Sequence, residues 1–303
     1  MTVSVCTLAH GRADHLSNLV RGLDAQTVRP DELVIAVMQG EPYQLPDAAF
    51  PIRQLMMGDG GIPLAAARNA AARAAGGSQL VFLDVDCIPD PSLIADYARQ
   101  LDRHDLLLMG EMLYLPRGAV ADGIDIERFA RIGVQHADRA GPPVDELGEC
   151  TDYRCFWSLN FAMRHATFDT IGGFDEAFSG YGGEDTDFGR VATTAGVPIN
   201  WVRGARVYHQ YHPHHMPPVH HVDSVIANAA RFRDKWGHFT MEHWLKAFTL
   251  MGLITLRDGD HVRLREVREE DLALTRQQSD QPYASTASVL AILEARAPAM
   301  AAA

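Results

Sequence analysis

Asp84 and Asp86 stand one residue apart at the end of the apolar run Val81-Phe82-Leu83. A strand that is buried along its length and charged only at its tip presents that tip to a ligand. If the strand continued through both residues, alternation would send the two side chains to the same face. Carboxylates held that close repel each other, and a hard divalent cation that takes oxygen ligands and bridges to a diphosphate relieves the repulsion. The plainer alternative is an Asp-rich turn that caps the helix after Pro89 and Pro91.

A second concentration runs from Gly172 to Phe188, with five glycines and five carboxylates in seventeen residues. Glycine at 172, 173, 180, 182 and 183 permits backbone conformations closed to other residues. Glu184, Asp185 and Asp187 then open a helix, where the macrodipole favours negative charge. An acidic helix cap explains this much. A carboxylate crowded by others, beside a loop able to close over a substrate, is also a natural general base. The third group is His209, His212, His214, His215, His220 and His221. A zinc site, a phosphate-binding patch and a solvated loop are all open readings of this run. Prolines at 213, 217 and 218 keep these histidines off a helical i, i+4 spacing. His209, nearest the end of a strand, is the best candidate for a metal ligand.

The elements that must position these groups follow from periodicity and punctuation. Strands are expected at 3–8, 33–38, 52–56, 80–83, 106–115, 157–163, 199–202 and 205–208. Helices are expected at 14–26, 63–75, 92–104, 125–136, 165–171, 222–237 and 241–256. The Gly- and Pro-rich stretch 116–150 reads as a surface excursion, and 297–303 as a frayed tail. Strand and helix alternate as in a wound α/β sheet, whose ligands gather at the carboxyl ends of the strands.

At 303 residues, 47% hydrophobic and 22% charged, the chain is long enough to bury a substantial core. A formal charge of −12 argues against nucleic acid or an anionic membrane surface as a nonspecific partner. Cys6 and Cys87 sit in apolar strand contexts, and Cys150 and Cys155 lack CxxC spacing, so neither a disulfide framework nor a zinc knuckle is implied. The N-terminus enters a strand at once, and the apolar stretch 244–256 is too short to span a bilayer. A cytoplasmic protein is expected, with room for a peripheral contact at the inner membrane face.

Taken in order, Phe82-Leu83-Asp84-Val85-Asp86-Cys87-Ile88-Pro89, Asn160-Phe161, Gly172-Gly173-Phe174-Asp175-Glu176, Gly182-Gly183-Glu184-Asp185-Thr186-Asp187-Phe188 and His209 strongly resemble the family 2 glycosyltransferases of the GT-A fold. The C-terminal half is similar to the β-1,4-galactosyltransferase and chondroitin polymerase branch. The resemblance covers about residues 3 to 215, and it implies a mostly parallel wound sheet flanked by helices. It further implies a catalytic domain at 1–221, with a nucleotide-binding part at about 1–115 and an acceptor part at about 150–221. A helical extension at 222–303 follows, open to roles as an acceptor cover, a homo-oligomer contact or a membrane contact.

The resemblance also implies site roles. Thr7, His10, Arg12, Gln39, Arg68, Asp84 and Asp86 would bind the nucleotide, and Asp86 with His209 would hold Mn²⁺ or Mg²⁺. Trp157, Asn160, Gly172, Gly173, Phe174, Gly183 and Glu184 would contact substrate, and Asp185 would deprotonate the acceptor hydroxyl. Gln39 stands where many members carry an aspartate for the base. The implied activity is metal-dependent, inverting transfer from a UDP-sugar to an acceptor hydroxyl. Two alternatives are a zinc hydrolase built on the histidine run and a noncatalytic carbohydrate-binding protein of the same fold.

Overall fold

The computed structural model describes residues 2–139, 141–278 and 280–301. The chain divides into two compact units, Met1–Ala177 with Glu184–Tyr211, and Phe178–Gly183 with His212–Ala303. The division thus falls ten residues before the 221/222 boundary read from the sequence, and the glycine loop before Glu184 is grouped with the second unit.

The first unit opens with β1 (Val3–Ala9), α1 (Ala13–Asp24), β2 (Glu32–Val37), β3 (Ile52–Met56), α2 (Leu64–Ala74) and β4 (Gln79–Leu83). There follow β5 (Cys87–Pro89), α3 (Leu93–Arg103), β6 (Leu107–Met109), β7 (Met112–Tyr114), α4 (Ile126–Ile132) and β8 (Leu147–Glu149). The unit ends with β9 (Asn160–Arg164), α5 (His165–Ile171), α6 (Glu184–Thr194), β10 (Ile199–Val202) and β11 (Val207–His209). Eight strands form one sheet in the order β3-β2-β1-β4-β9-β6-β10-β8. The β3/β2, β2/β1, β1/β4 and β6/β10 pairs are parallel, while β9 runs against both neighbours and β8 against β10.

Helices cover both faces, so the central strands are largely apolar on both faces rather than at alternate positions. Val5, Leu33, Ile35 and Val81 pack with Leu16, Leu19 and Leu23 of α1 and Ile94 and Tyr97 of α3. Cys6, Val34, Leu80 and Phe82 point the other way, against Ala67 and Ala71 of α2, Phe168 of α5 and Phe188 of α6. Each large apolar side chain so buried contributes about 1.5–3 kcal/mol. The stretch 116–150 is more than a surface excursion, because β8 returns to close one sheet edge. A smaller sheet, β5-β11-β7, sets His209 in register with Cys87 and Tyr114.

The second unit contains α7 (Val222–Trp236), α8 (Glu242–Leu250), β12 (Ile254–Arg257), β13 (Asp260–Arg263), α9 (Glu269–Thr275) and α10 (Thr286–Ala301). The helix expected over 241–256 stops at Leu250, and its end becomes the first strand of a hairpin. Asp258 and Gly259 link the strands with φ of 51° and 89°. Two consecutive residues at positive φ favour Asp-Gly and fit a tight hairpin turn. Of the tail expected to fray, residues 302 and 303 lie outside the described residues, and 297–301 belong to α10. Among the described residues no helix is long and apolar enough to cross a membrane.

Candidate functional site

The strand carrying the paired aspartates ends at Leu83, residues 85 and 86 turn, and the chain resumes as β5. The same-face expectation for Asp84 and Asp86 therefore gives way to a turn. The Asp84 amide donates to Leu159 O at 3.0 Å and the Cys87 amide to Asp84 O at 3.0 Å, which fixes the reversal. The two carboxylates consequently take different partners. Asp84 accepts from Arg68 at 3.3 Å. Asp86, with its side chain 6% exposed, accepts from Arg12 and faces His209, whose Nε2 lies 3.4 Å from Oδ1.

Arg68 is brought to the strand ends by α2, whose buried Ala65, Ala67, Ala71 and Ala72 let the helix lie close to the sheet. Only 4% exposed, it reaches Asp84 and Glu184 at 3.3 Å each, and its guanidinium lies 5.4 Å from the Phe174 ring centroid. Arg68 Nε, Glu184 Oε2 and Thr7 Oγ1 are buried without a hydrogen-bond partner. Unsatisfied buried polar atoms call for an explanation, and a polar ligand would complete these three.

Burial opposes the charge on Arg68, but Asp84, Glu184 and Asp185 outweigh it and raise its pKa. Burial pushes Asp84 up to about 6, with Arg68 opposing and Asp86 adding to the rise. Burial together with the Glu184 charge pushes Asp185 up to about 7, and Arg68 offsets part of that. Asp185 Oδ1 also accepts from the Thr186 amide at 2.7 Å.

At the ends of β1 and β2, His10 Nδ1 lies 2.6 Å from Met38 O, and the Gly11 amide donates to Gln39 Oε1 at 3.0 Å. Gln39 Nε2 donates to Glu41 O at 2.8 Å, so the amide is engaged on both sides. Trp157 lies further along the unit, linked to His209 by ring contacts. His209 to Tyr114 is 4.7 Å, Tyr114 to His136 5.7 Å and His136 to Trp157 5.1 Å between centroids.

Several residues expected to touch substrate are instead closed into the fold. Asn160 is fully buried, with its Oδ1 accepting from Tyr97 at 2.8 Å and its Nδ2 donating to Ala205 O at 2.8 Å and Glu111 O at 3.0 Å. Both of its amide N–H groups are used, and the side chain is closed to solvent. Phe174 is stacked on Phe188 at 4.2 Å, and its backbone is held at both ends by the Asn69 amide, each bond 2.8 Å. Gly172 ends α5 at φ 84°. A side chain at Gly173 would put a Cβ 2.6 Å from Asn69 Oδ1, at φ 69°. These residues position α6, whose first turn carries Glu184 and Asp185.

Gly183 belongs to the second unit, in a loop held by α7. Asn228 Oδ1 accepts from the Ser179 amide at 3.3 Å, and its Nδ2 donates to Ser179 O at 3.0 Å and Gly182 O at 2.8 Å. The Tyr181 amide donates to Ser224 Oγ at 3.2 Å, and the Tyr181 ring stacks on His221 at 4.9 Å. A Cβ on Gly182 would lie 2.6 Å from Met241 Sδ. The closing loop expected from the glycines is here a bound one.

Gln210 was not foreseen. It is fully buried, its amide donates to Asp86 O at 2.7 Å, and its side chain bonds Asn18 and His15 O of α1. Nothing in the histidine run announces it beyond its place next to His209.

Comparison with known proteins gives the architecture a context. A family model described as the N-terminal domain of galactosyltransferase matches residues 143–215. Validoxylamine A glucosyltransferase of Streptomyces hygroscopicus subsp. limoneus is 26% identical over 292 residues, covering 87% of this chain and 63% of the relative. Chondroitin synthase of Escherichia coli is 27% identical over 193 residues, covering 55% and 28%. Among solved structures, GalNAc-T7 with UDP, GalNAc and Mn²⁺ superimposes with a TM-score of 0.52 at 15% identity, over 70% of this chain and 44% of that one. S. aureus TarS (residues 1–349) in complex with UDP gives 0.51 at 18%, over 77% and 66%.

The fold is the GT-A fold of these solved structures, and the relatives support the resemblance to family 2 glycosyltransferases. The chain spans less than two thirds of the length of either curated relative. Its matched segment carries Glu184, Asp185 and His209, whereas Arg68, Asp84 and Asp86 come from the N-terminal part of the same GT-A unit.

Proposed function

We propose that the protein transfers a sugar from a nucleoside diphosphate sugar, with UDP as the nucleotide, to an acceptor hydroxyl, in one metal-dependent displacement that inverts the anomeric centre. The observation that carries this reading is the meeting of distant segments in one unit: Arg68 reaches both Asp84 and Glu184, and His209 reaches Asp86. The names of the relatives and the UDP and Mn²⁺ of the related structures support it.

Asp185 accepts the proton of the acceptor hydroxyl as that oxygen bonds to C1 and the bond from C1 to the diphosphate breaks on the opposite face. A carboxylate whose pKa lies near 7 suits this task near neutral pH. Glu184, held by Arg68, is placed to bind sugar hydroxyls with its free oxygen. Asp84 and Thr7 face the ribose, and His10 and Gln39 the base. The Asp86 carboxylate and the His209 imidazole form an oxygen and nitrogen donor pair that suits Mn²⁺ or Mg²⁺. Such an ion, when bound, neutralises the charge that develops on the departing diphosphate. Arg12, which pairs with Asp86, is available to the phosphates.

The hydrolase alternative gains no such support. Among the described residues, no three histidines of the 209–221 run bring ligand atoms together by themselves.

The test is thermal shift with a panel of UDP-, GDP- and dTDP-sugars, with and without Mn²⁺, followed by nucleotide release. A true donor at a hundred times its Kd stabilises the fold by about 2.7 kcal/mol. Stabilisation by a UDP-sugar only with the metal, followed by UDP release, is expected. A panel with no stabilising nucleotide sugar and no release overturns the reading.

A further inference from the structure

Asp86 is a buried carboxylate, its side chain 6% exposed, and both of its oxygens are engaged within the protein. Oδ2 accepts from Arg12 Nη1, while Oδ1 faces His209 Nε2 at 3.4 Å and accepts from the Cys87 thiol at 3.9 Å. A buried carboxylate needs a positive partner, and Arg12 supplies it here. Two ligand atoms that share one octahedral ion at about 2.1 Å stand about 3 Å apart. The Oδ1 to Nε2 spacing is close to that, with the guanidinium on the other oxygen of the same carboxylate.

Arg12 differs from Arg68 in its freedom to move. Arg68 is 4% exposed and fixed between Asp84 and Glu184, whereas the Arg12 side chain is 39% exposed. Arg12 stands at the N-cap of α1 with φ 50° and ψ 38°, a left-handed conformation that favours glycine, and its side chain makes no cap bond. What the side chain does there is meet Asp86. The Arg12 carbonyl accepts from the Leu16 amide at 3.1 Å, so the backbone is anchored while the guanidinium borders solvent. Helix α1 is in turn tied to the end of β11. Asn18 donates to Gln210 Oε1 at 2.8 Å, and Gln210 Nε2 donates to His15 O at 3.1 Å.

A divalent ion on Oδ1 and a guanidinium on Oδ2 would set three positive charges around one negative charge, and like charges that close repel. We propose that Arg12 is the resident counter-ion of Asp86, displaced when the divalent ion binds and then passed to the diphosphate that the ion draws in. The inference rests on the glycosyl-transfer reading and adds an order to it: the ion frees Arg12, and only then does Arg12 hold the nucleotide. Ion and nucleotide therefore strengthen each other's binding, by the same factor in both directions. Without the ion, Arg12 stays on Asp86 and contributes nothing to the nucleotide.

Arg12→Gln separates this exchange from a plain phosphate contact. Calorimetry is run with Mn²⁺ alone, with UDP in EDTA and with UDP at saturating Mn²⁺. Mn²⁺ alone should bind the variant about tenfold more tightly, because a charge-assisted bond no longer has to be broken. UDP should bind about tenfold more weakly in Mn²⁺ and equally well in EDTA. Arg12→Met, which also lacks the charge, should behave in the same way and guards against a folding failure of the first variant. Arg12→Lys, which keeps the charge, should stay near the parent. Arg21→Gln removes an equal charge from the exposed face of the same helix and should leave Mn²⁺ affinity unchanged. Mn²⁺ affinity in Arg12→Gln no higher than in the parent overturns the inference; if UDP still weakens in Mn²⁺, Arg12 is a phosphate contact and glycosyl transfer stands. Equal weakening of UDP in EDTA and in Mn²⁺ overturns the order of events. An equal gain in Arg21→Gln overturns the exchange, since net charge then explains it. Parent binding of UDP that is the same in Mn²⁺ and in EDTA removes the metal-dependent reading and this inference together.

Discussion

Replacing Asp185 by asparagine should make the protein both more stable and far less active. The Asp185 carboxyl sits near 7 in the folded chain against an ordinary 3.8. Between those values the folded state holds a proton that the unfolded chain has released, so the contribution to stability is complete below the lower value and is lost as the pH rises through the upper one. A shift of this size corresponds to at most about 4 kcal/mol. Asp185 keeps some solvent contact, and screening reduces the expected figure to about 1–2 kcal/mol. Asparagine preserves the shape and the oxygen that accepts from Thr186, and removes the charge. At pH 8 the variant should melt roughly 3–6 °C above the parent, and at pH 4 the two should coincide. Transfer should fall by about two to four orders of magnitude with donor affinity kept. Parent activity should rise with pH through about 7, because only the ionised carboxylate can accept the acceptor's proton. Calorimetric melting across pH, with UDP release as the activity measure, decides the matter. Near-full activity of Asp185→Asn removes the residue from the mechanism, and a lower melting temperature at pH 8 refutes the electrostatic argument.

Two further outcomes follow from the site and the loop. Asp86→Ala should abolish the metal-dependent part of UDP binding, weakening it about a hundredfold in Mn²⁺ and leaving affinity in EDTA unchanged; calorimetry with and without the ion reads this directly. Asn228→Ala removes three hydrogen bonds to residues 179–182 and should cost about 1–3 kcal/mol, with faster hydrogen exchange at the Ser179 amide; unaltered exchange there would mean that Asn228 does not hold the loop.

The central strands were legible because parallel strands covered on both faces become unbroken apolar runs, as in Leu33 to Val37 and Leu80 to Leu83. Two of the three-residue strands, β5 and β8, were not. β5 and β8 are set by pairing with β11 and β10, distant partners that leave no periodicity of their own. The β12/β13 hairpin was hidden by the apolar continuity of Leu250 to Leu256, although Asp258-Gly259 carried its signal. The carboxylates of the candidate site stood out by their place at strand and helix ends. Arg68 entered through the family resemblance, but Gln210 and Asn228 did not stand out, because they act across 195 and 49 residues. Residue types near a motif say nothing about which distant amide will satisfy it. For the same reason Asn160 and Phe174 read as ligand contacts when their polar groups are consumed by the fold.

The acidic cluster is held without a ligand by internal cations in an asymmetric way. Arg68 lies between Asp84 and Glu184 at distances too long for strong bonds, and leaves Glu184 Oε2 and its own Nε unsatisfied. Asp84 and Asp185 hold protons more tightly than ordinary carboxylates do, so their ionised forms oppose folding. A core selected for stability alone would replace such a set by apolar residues of similar volume. Its retention is understandable if a ligand supplies the interactions missing at Arg68 Nε and Glu184 Oε2, as phosphate oxygens and sugar hydroxyls would. On this account Asp84→Asn should gain stability in the free protein and lose part of the stabilisation that the donor gives, two opposite shifts that a purely structural carboxylate would not produce.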